Sequence, residues 1–383
     1  MNIYAQRLRR ELHQCPEIGF ELPKTLAVVK RELDAIGLPY TEQYGQGSVV
    51  ATLNPGKGNF TIALRADMDA LPLQEQNDVP YKSQHPGKMH ACGHDAHTAM
   101  LLATAKELKE NAEKINCCVK FLFQPAEESS GGAKMMVENG AVDDADCVLA
   151  LHCDNKYEVG QLLVHANEMN ANSDGFYLDF YGKNIHACVQ HDGVDAIMMA
   201  VKAYTAIEFM IAKEINAVHP CIFNVGAIHA GNTNNIVPDH CQMFCTLRTY
   251  YNEDRERAIS RIQAIVDAVA KESGGRAEYT VQKYYPVINN DPAVTQQFMQ
   301  SAEKVLGQGN IITDKPRSLG GEDFSYFTQA KKACFAWLGT GNKAQGITAA
   351  LHQVNFDIDE EALDVGVKLF TQFVYDNMGG IKF

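Results

Sequence analysis

Residues 89–124 read MHACGHDAHTAMLLATAKELKENAEKINCCVKFLFQ, and they join a cluster of polar side chains to a helix and a strand pattern. The segment AHTAMLLATAKELKENA has apolar residues at helical spacing, and CCVKFLFQ is a short apolar run typical of a buried strand. Similar runs, SVVATL, FTIALRA and CVLALH, flank it, and GGAKMMVENG is a second helical pattern. Strands and helices that alternate in this way predict an α/β fold with a largely parallel sheet.

The pattern changes at about residue 172. Residues 172–286 predict strand, helix, two strands, helix and strand, which is the βαββαβ order of a ferredoxin-like sandwich. The α/β pattern resumes afterwards in FAWLGTG and a C-terminal helix. We therefore expect a discontinuous first domain, residues 1–171 and 287–383, with a mixed central sheet flanked by helices, and an inserted second domain, residues 172–286.

The first helix of the inserted domain is expected to be amphipathic. Asp192 is a plausible N-cap for it, because an aspartate side chain can accept a hydrogen bond from the first helical N–H groups. The residues expected on its buried face, at helical spacing, are Ile197, Val201, Tyr204, Ile207 and Ile211.

Composition argues against several classes of function. The chain has 383 residues and a net charge of −13, and its densest basic run is only Arg7, Arg9 and Arg10, so no nucleic-acid partner is expected. No apolar run approaches the roughly 18 residues needed to span a bilayer, and no membrane partner is expected. The N-terminus has no apolar signal region, and the 11 cysteines include no CxxC pair, which favours reduced thiols and a cytoplasmic location.

The cluster at the start of the quoted stretch is a candidate metal site. Cys92 and His94 flank a glycine, directly before the helical pattern. Thiolate and imidazole groups bind borderline and soft divalent metals, and glycine lets the backbone turn so that both side chains converge. A lone motif of this kind is more often a hydrogen-bonded polar loop, so it needs partners elsewhere in the chain.

Three further features follow apolar runs or precede helices. Glu127 and Glu128 follow the strand pattern FLFQ; one could bind metal while the other exchanges protons with water, or both could merely favour a helix N-terminus. His152 ends the run CVLALH, where catalytic groups of α/β sheets often lie, although it could be a core histidine. His352 precedes a helical pattern and could be an ordinary loop histidine. The serine-hydrolase elbow G-x-S-x-G and the zinc motif H-E-x-x-H are absent from the sequence.

Taken together, these motifs resemble the M20 metallopeptidase superfamily, and specifically its amidohydrolase branch of hippurate hydrolases, N-acyl-amino-acid deacylases, N-acetyl-diaminopimelate deacetylases and auxin-conjugate hydrolases. The resemblance covers nearly the whole chain. Its motifs, in order, are LHQCPEIGFE (12–21), LRADMDALP (64–72), HACGHDAH (90–97), FQPAEE (123–128), LH (151–152), GKNIHA (182–187), NTNNIVPD (232–239), LRT (247–249), GGEDFSYF (320–327) and LHQVNFDIDEEAL (351–363).

The resemblance implies a site with two divalent metal ions, Zn²⁺ or Mn²⁺, with Co²⁺ or Ni²⁺ as further candidates. Cys92 matches the thiolate that bridges both ions in this branch. The residues that match the remaining ligands are His94, Glu128, His152 and His352. Glu127 matches the general base, and Asp67 and Asp69 match residues that orient the ligands.

For the inserted domain, the resemblance implies a lid that also serves dimerisation. His186 matches a histidine that polarises the scissile carbonyl, in dimeric relatives at the site of a neighbouring subunit. Asn235 and Arg248 match a pair that holds the substrate carboxylate, and the planar guanidinium suits that task. A homodimer or higher homo-oligomer through this domain is therefore expected.

The implied activity is hydrolysis of the amide bond of an N-acyl amino acid, for example an acetyl or benzoyl derivative, to a carboxylic acid and a free amino acid. The chain departs from the family pattern at Ile185, Gln190 and Gln353–Val354, which lie on loops that shape the pocket, so the acyl group and the amino acid are not assigned. Two alternatives stay open: a dipeptidase or aminopeptidase of the same superfamily, and a non-catalytic protein that binds a small ligand.

Overall fold

The computed structural model of the chain describes residues 2–129, 131–315 and 317–382. The α-helices of this part are α1 (Ile3–His13), α2 (Pro23–Ile36), α3 (His94–Glu110), α4 (Gly132–Glu138), α5 (Ala196–Glu214), α6 (Asn252–Glu272), α7 (Pro292–Leu306), α8 (Ser325–Ala330) and α9 (Glu361–Asn377). The strands are β1 (Tyr40–Thr41), β2 (Val49–Leu53), β3 (Thr61–Asp67), β4 (Cys118–Gln124), β5 (Cys147–Glu158), β6 (Leu162–Leu163), β7 (Asn167–Asn170), β8 (Asn172–Tyr181), β9 (Ile185–His186), β10 (Cys221–Ala230), β11 (Ile236–Val237), β12 (His240–Thr249), β13 (Arg276–Tyr285), β14 (Ile288–Asn290), β15 (Ile311–Ile312) and β16 (Lys332–Gly341).

The chain forms two compact units. Unit 2 contains Asn170–Val287 and Ser318–Glu322, and unit 1 contains the rest of the described chain. The sequence had placed Ser318–Glu322 in the first domain. This segment belongs to unit 2 because the Ala171 N–H donates a hydrogen bond to the Gly320 carbonyl, 3.2 Å away, and Asn170 forms a bridge with Ser318.

Unit 1 is built on an eight-stranded sheet in the order β1-β2-β4-β3-β5-β16-β6-β15. Its centre, β4-β3-β5-β16, is parallel, while β1, β2 and β6 add antiparallel pairs. Helices α1, α2, α3, α7 and α9 share one apolar core with the sheet, and α4 and α8 share another with it. The predicted mixed α/β chain with a large sheet flanked by helices is confirmed, and the sheet is mixed rather than largely parallel.

Unit 2 contains an antiparallel four-stranded sheet in the order β10-β12-β8-β13. Alternate residues of its strands, such as Phe176, Leu178 and Phe180 of β8, share a core with α5 and α6. In chain order the elements are strand, helix, two strands, helix and strand. The loops between β8 and α5, and between β10 and β12, also form the small β9–β11 pair.

Helix α5 differs from the sequence prediction in both its start and its buried face. Its N-cap is Asp195, whose side chain accepts a hydrogen bond from Met198 N–H, rather than Asp192. Ile197, Val201 and Tyr204 are exposed rather than buried. The residues of α5 that are buried are Ala196, Met199, Ala200, Ala203, Ile207 and Met210. Ile207 is buried as predicted, and Ile211 is half-buried against the same core. The helix is apolar on several sides, so periodicity alone predicted only part of the buried face.

Candidate active site

The parallel strands of unit 1 bring the candidate residues to one edge of the sheet. Strand β3 ends at Asp67, and β4 ends at Gln124, three residues before Glu127. Within β5, Ala150 pairs with Arg65 of β3, so His152 lies level with Asp67, two residues further along each strand. Since the carboxyl ends of parallel strands share an edge, residues distant in sequence converge there.

The backbone is in the left-handed conformation at three positions in or next to the candidate residues, and this sets the direction of the neighbouring side chains. Gly93, between Cys92 and His94, has φ of 86° and caps α3. Ala126, directly before Glu127, has φ of 55°, and His352 itself has φ of 64°. Such values are uncommon for residues other than glycine and cost of order 1–3 kcal/mol, so packing must hold Ala126 and His352 in place.

The five predicted metal ligands form one connected cluster. Candidate ligand atoms of Cys92, His94 and Glu128 all lie within 4.8 Å of one another. The Cys92 Sγ lies 3.5 Å from His152 Nε2. The His352 Nε2 lies 3.1 Å from Glu128 Oε1. A site of one thiol, three imidazoles and one carboxylate matches the ligands that zinc and similar divalent metals prefer.

Unsatisfied polar atoms in the cluster fit a metal ion. Among the described residues, both ring nitrogens of His94 are buried without a hydrogen-bond partner. The buried Glu128 Oε1 has only the His352 ring beside it, as an ion-pair contact within the cluster. The His152 Nδ1 is 2.9 Å from the Cys153 carbonyl, so its proton belongs on Nδ1 and the Nε2 lone pair faces the cluster. Buried polar atoms without partners are costly unless something else satisfies them, and a divalent ion would do so.

His97 is excluded as a ligand by its own hydrogen bonds. Its Nδ1 lies 2.5 Å from Asp67 Oδ1, and its Nε2 accepts the Cys153 N–H at 2.9 Å. Arg65 Nη1 donates to the other Asp67 oxygen at 2.7 Å. Both ring nitrogens of His97 are therefore occupied. Through these bonds, His97 links Asp67 at the end of β3 to Cys153 of β5.

Asp69 holds both glutamates through their backbone. One carboxylate oxygen accepts the Glu127 N–H at 2.9 Å, and the other accepts the Glu128 N–H at 3.1 Å. The first oxygen also lies 3.6 Å from His94 Nδ1. The buried Asp69 carboxylate thus fixes the backbone of the candidate base, Glu127, and of the candidate ligand Glu128 relative to the candidate ligand His94.

The electrostatics of the cluster favour a bound cation. Burial raises the pKa of the Cys92 thiol well above its usual value, and the carboxylates of Glu128, Glu127 and Asp67 raise it further. Burial lowers the pKa of His94, but Asp67 and Asp69 raise it to about 10. The carboxylates around Cys92 and His94 thus give the cluster an excess of negative charge. Bound dications would neutralise that charge and would also stabilise the Cys92 thiolate.

The residues expected in the lid lie in unit 2, in two separate places. His186 of β9 pairs with Ile236 of β11, and the Ala187 N–H donates to the Asn235 carbonyl at 3.0 Å, so His186 and Asn235 are neighbours. Both are exposed. Arg248 is far along β12 from the loop that carries Asn235. It lies eight residues from His240, or about 26 Å at 3.3 Å per residue.

Arg248 carries an unneutralised charge. It is half-buried, and no carboxylate of the described residues lies within ion-pair distance of it. Asp174, the acid whose charge raises the pKa of Arg248, is itself bound by the Arg255 guanidinium at 2.5–3.2 Å. Burial lowers the pKa of Arg248. An anionic ligand would pair with it.

Two buried arginines, Arg65 and Arg9, were not predicted from the sequence. Arg65 donates to Asp67, to Gln124 Oε1 at 2.7 Å and to Asp323 Oδ1 at 2.9 Å. Its signal was visible as a charge within the apolar run FTIALRA. Arg9 looked like part of an exposed basic run and has no comparable signal.

Comparisons with known proteins agree with this geometry. Residues 63–376 match the Peptidase family M20/M25/M40. An N-acetyl-L-cysteine deacetylase of Bacillus subtilis is 34% identical over 93% of this chain and 84% of the relative. The thermostable carboxypeptidase 2 of Saccharolobus solfataricus is 34% identical over 94% of this chain and 92% of the relative. The crystal structure of the Bacillus subtilis YXEP protein, described as a dinuclear metal-binding peptidase of the M20 family, is 28% identical, with a TM-score of 0.85 over 98% of both chains.

The chain belongs to the M20 peptidase family. The predicted resemblance is confirmed, and so is the prediction of an enzyme that hydrolyses amide bonds, since the relatives are hydrolases of that class. None of the described helices is both long enough and apolar enough to cross a membrane.

Proposed function

We propose that the chain is a dinuclear metal-dependent amidohydrolase that cleaves N-acyl amino acids to a carboxylic acid and a free amino acid. The observation that carries the proposal is a cluster of five potential ligands, in which Cys92, His94 and His152 are buried and both ring nitrogens of His94 lack hydrogen-bond partners. Glu128 and His352 complete the cluster. The deacetylase relative supports an acyl amino acid as the substrate class.

The roles proposed for these residues are the ones that the family resemblance implies. Cys92 is proposed to bridge two ions, and the three histidines and Glu128 to complete their coordination. Once bound, the ions supply a Lewis acid for the amide carbonyl and lower the pKa of a water molecule. Glu127 is proposed to accept the proton of the attacking water and to pass it to the leaving nitrogen. The Glu127 N–H donates to the Asp69 oxygen that also lies 3.6 Å from His94 Nδ1, so the backbone of Glu127 is fixed close to His94.

Substrate recognition is assigned to unit 2, which we propose is a lid. Arg248 would bind the carboxylate of the amino-acid half, because a guanidinium without an acidic partner gains most from a carboxylate ligand. His186 would donate a hydrogen bond to the oxyanion of the tetrahedral intermediate. Asn235 would also contact the substrate carboxylate that Arg248 binds.

Asn235 and Arg248 cannot easily meet one carboxylate from a single lid, because they lie near opposite ends of β12. We therefore propose that the chain is a homodimer or higher homo-oligomer in which His186 and Asn235 serve the site of a neighbouring copy. Exposed apolar residues on α5 support a contact there; they are Ile197, Met198, Val201, Tyr204 and Phe209. Strand β10 is an edge of the sheet and adds exposed Ile222 and Ile228.

Oligomeric state tests that part of the proposal directly. The parent protein should sediment as a dimer or larger, and Val201→Glu should weaken the association by placing a charge in the apolar contact. Lys213→Glu, on the same helix outside the apolar set, is the matched control. A monomeric parent at micromolar concentration with full activity would contradict this assembly.

A substrate screen tests the proposed activity. Metal-free protein would be loaded separately with Zn²⁺, Mn²⁺, Co²⁺ or Ni²⁺ and offered N-acetyl and N-benzoyl amino acids, free dipeptides and longer peptides, with release of free amine as the readout. The proposal predicts turnover of the acyl amino acids above that of peptides with a free N-terminus. Preferential peptide cleavage would favour the dipeptidase or aminopeptidase alternative, and the carboxypeptidase relative is a reason to include peptides. No turnover with any metal would favour a non-catalytic binding protein.

A further inference from the structure

The N-terminal helix carries a buried arginine that the mechanism above does not use. Arg9 is only 1% exposed, although its neighbours Arg7 and Arg10 reach solvent. A buried guanidinium is costly to remove from water unless its N–H groups are paired. The partners of Arg9 therefore indicate what the residue holds together.

Each nitrogen of the Arg9 guanidinium binds a different carboxylate. Nε donates to Asp95 Oδ2 at 3.0 Å, Nη2 to Asp357 Oδ1 at 2.5 Å, and Nη1 to Glu360 Oε1 at 3.2 Å. Asp95 lies in the first turn of α3, Asp357 in the loop after His352, and Glu360 directly before α9. One side chain thus joins three segments to α1.

Two of these segments carry proposed metal ligands. Asp95 follows His94 in the chain, and Asp357 lies five residues after His352. The His352 N–H also donates to the Ala91 carbonyl at 2.8 Å, so the two segments are in direct contact. The position of one relative to the other decides whether His94 and His352 can reach the same metal pair.

A second side chain of α1 limits the freedom of Asp95. The His13 Nδ1 lies 2.7 Å from Asp95 Oδ2, and the His13 Nε2 lies 3.2 Å from Glu75 Oε1. Glu75 in turn accepts the Ser83 N–H at 2.7 Å. Arg9 Nε and His13 Nδ1 therefore contact the same oxygen of Asp95, so a rotation of Asp95 that followed one partner would lengthen its bond to the other.

We propose that Arg9 is a positioning residue for the metal centre, which fixes the α3 segment of His94 and the loop of His352 relative to each other. This inference rests on the proposed function, because it assumes that both histidines bind metal. Lysine cannot replace arginine here, since one ammonium group cannot address three carboxylates at the separate positions of a planar fork. Buried ion pairs often add little net stability, so the main effect falls on geometry.

The test measures metal binding without relying on activity. Trp337 is the only tryptophan of the chain, and its ring centroid lies 4.7 Å from that of His152. Co²⁺ bound at the cluster should quench its fluorescence. Metal-free full-length protein would be titrated with Co²⁺ as the parent, as Arg9→Lys and as Arg10→Lys. The last is a matched control, because Arg10 lies beside Arg9 and, among the carboxylates of the described residues, binds only Glu360.

Arg9→Lys should weaken Co²⁺ binding about 10–100-fold, the loss typical of residues that orient metal ligands, while Arg10→Lys stays within about twofold of the parent. The rise in Tm on adding Co²⁺ should shrink in Arg9→Lys. A merely structural role would lower the Tm of metal-free and loaded protein equally and leave that rise unchanged. Asp357→Asn, a milder change at a partly exposed partner, should weaken binding in the same direction and covers the case in which Arg9→Lys does not fold.

Two outcomes would overturn the inference, and they are distinguishable. A parent that binds Co²⁺, with Arg9→Lys and Asp357→Asn binding it equally well, removes the positioning role and leaves the proposed function intact. A parent that binds no Co²⁺, Zn²⁺ or Mn²⁺ removes the proposed function and the inference together.

Discussion

The residues predicted to bind metal in unit 1 and those predicted to contact substrate in unit 2 differ sharply in how firmly their own unit holds them. In unit 1, His94 and Asp69 are almost fully buried, and Asp69 fixes the backbone of both glutamates. In unit 2, His186 and Asn235 are exposed on a pair of two-residue strands. Groups that perform bond chemistry need fixed geometry, whereas groups that admit and release a substrate need freedom to move. Substitutions in unit 1 should therefore affect turnover or metal content. In unit 2, substitutions should mainly affect substrate affinity, except at His186, whose proposed contact with the oxyanion affects turnover.

The largest effect is expected at Glu127. Glu127→Gln removes the proton acceptor but keeps the shape and the backbone bond to Asp69, so kcat should fall by about 10²–10⁴-fold while metal content stays near two ions per chain. Glu128→Gln is the matched neighbour and should instead lose metal. Elemental analysis and amine release separate the two. Wild-type turnover in Glu127→Gln would remove the base assignment.

Loss of the thiol should come next. Cys92→Ser replaces a strong soft ligand with a weak one, and metal occupancy measured by elemental analysis should drop well below two ions per chain. Cys153→Ser, at another buried cysteine beside His152, should retain its metal. Full occupancy in Cys92→Ser would argue against a thiolate bridge.

A change in unit 2 should have a smaller effect of another kind. Arg248→Ala should raise KM by about 10–100-fold for substrates with a free carboxylate, because a charge-assisted bond contributes roughly 1.5–3 kcal/mol. Substrates with an amidated carboxylate should be affected much less. Arg261→Ala removes an exposed ion pair with Glu214 and serves as the control. Equal losses on both substrate types would contradict the clamp.

The smallest effect concerns pH and the buried network of unit 1. Burial lowers the pKa of His13, but Asp95 and Glu75 raise it to about 9, above the ordinary value of about 6.5. Its contribution to stability, about 3 kcal/mol at most, is therefore fully present below pH 6.5 and is lost as pH rises through 9. In metal-free protein, His13→Gln should reduce stability at pH 6 and flatten the fall in the urea midpoint between pH 6.5 and 9. An unchanged slope would show that His13 is not charged in the folded protein.

The grouping of the candidate metal ligands was predicted from the family resemblance, and strand patterns explain only part of it. Glu128 follows β4 and His152 lies on β5, whose carboxyl ends share an edge, whereas Cys92 precedes α3 and His352 lies in a loop. Cys92, Glu128 and His152 are each adjacent to a strong strand or helix pattern. The buried face of α5 could not be predicted, since apolar residues surround much of that helix and packing on the sheet made the choice. Nor could Arg9, because a charge on a helix looks exposed until its three carboxylates come together from distant parts of the chain.

Reconstitution of metal-free protein tests the central claim most directly. Zn²⁺ or Mn²⁺ would be added in steps to chelator-treated protein while amine release from an N-acetyl amino acid and bound metal are measured in the same samples. The proposal predicts no turnover without metal and activity that levels off near two ions per chain. Full turnover in the metal-free protein, or activity complete at one ion, would contradict a dinuclear amidohydrolase.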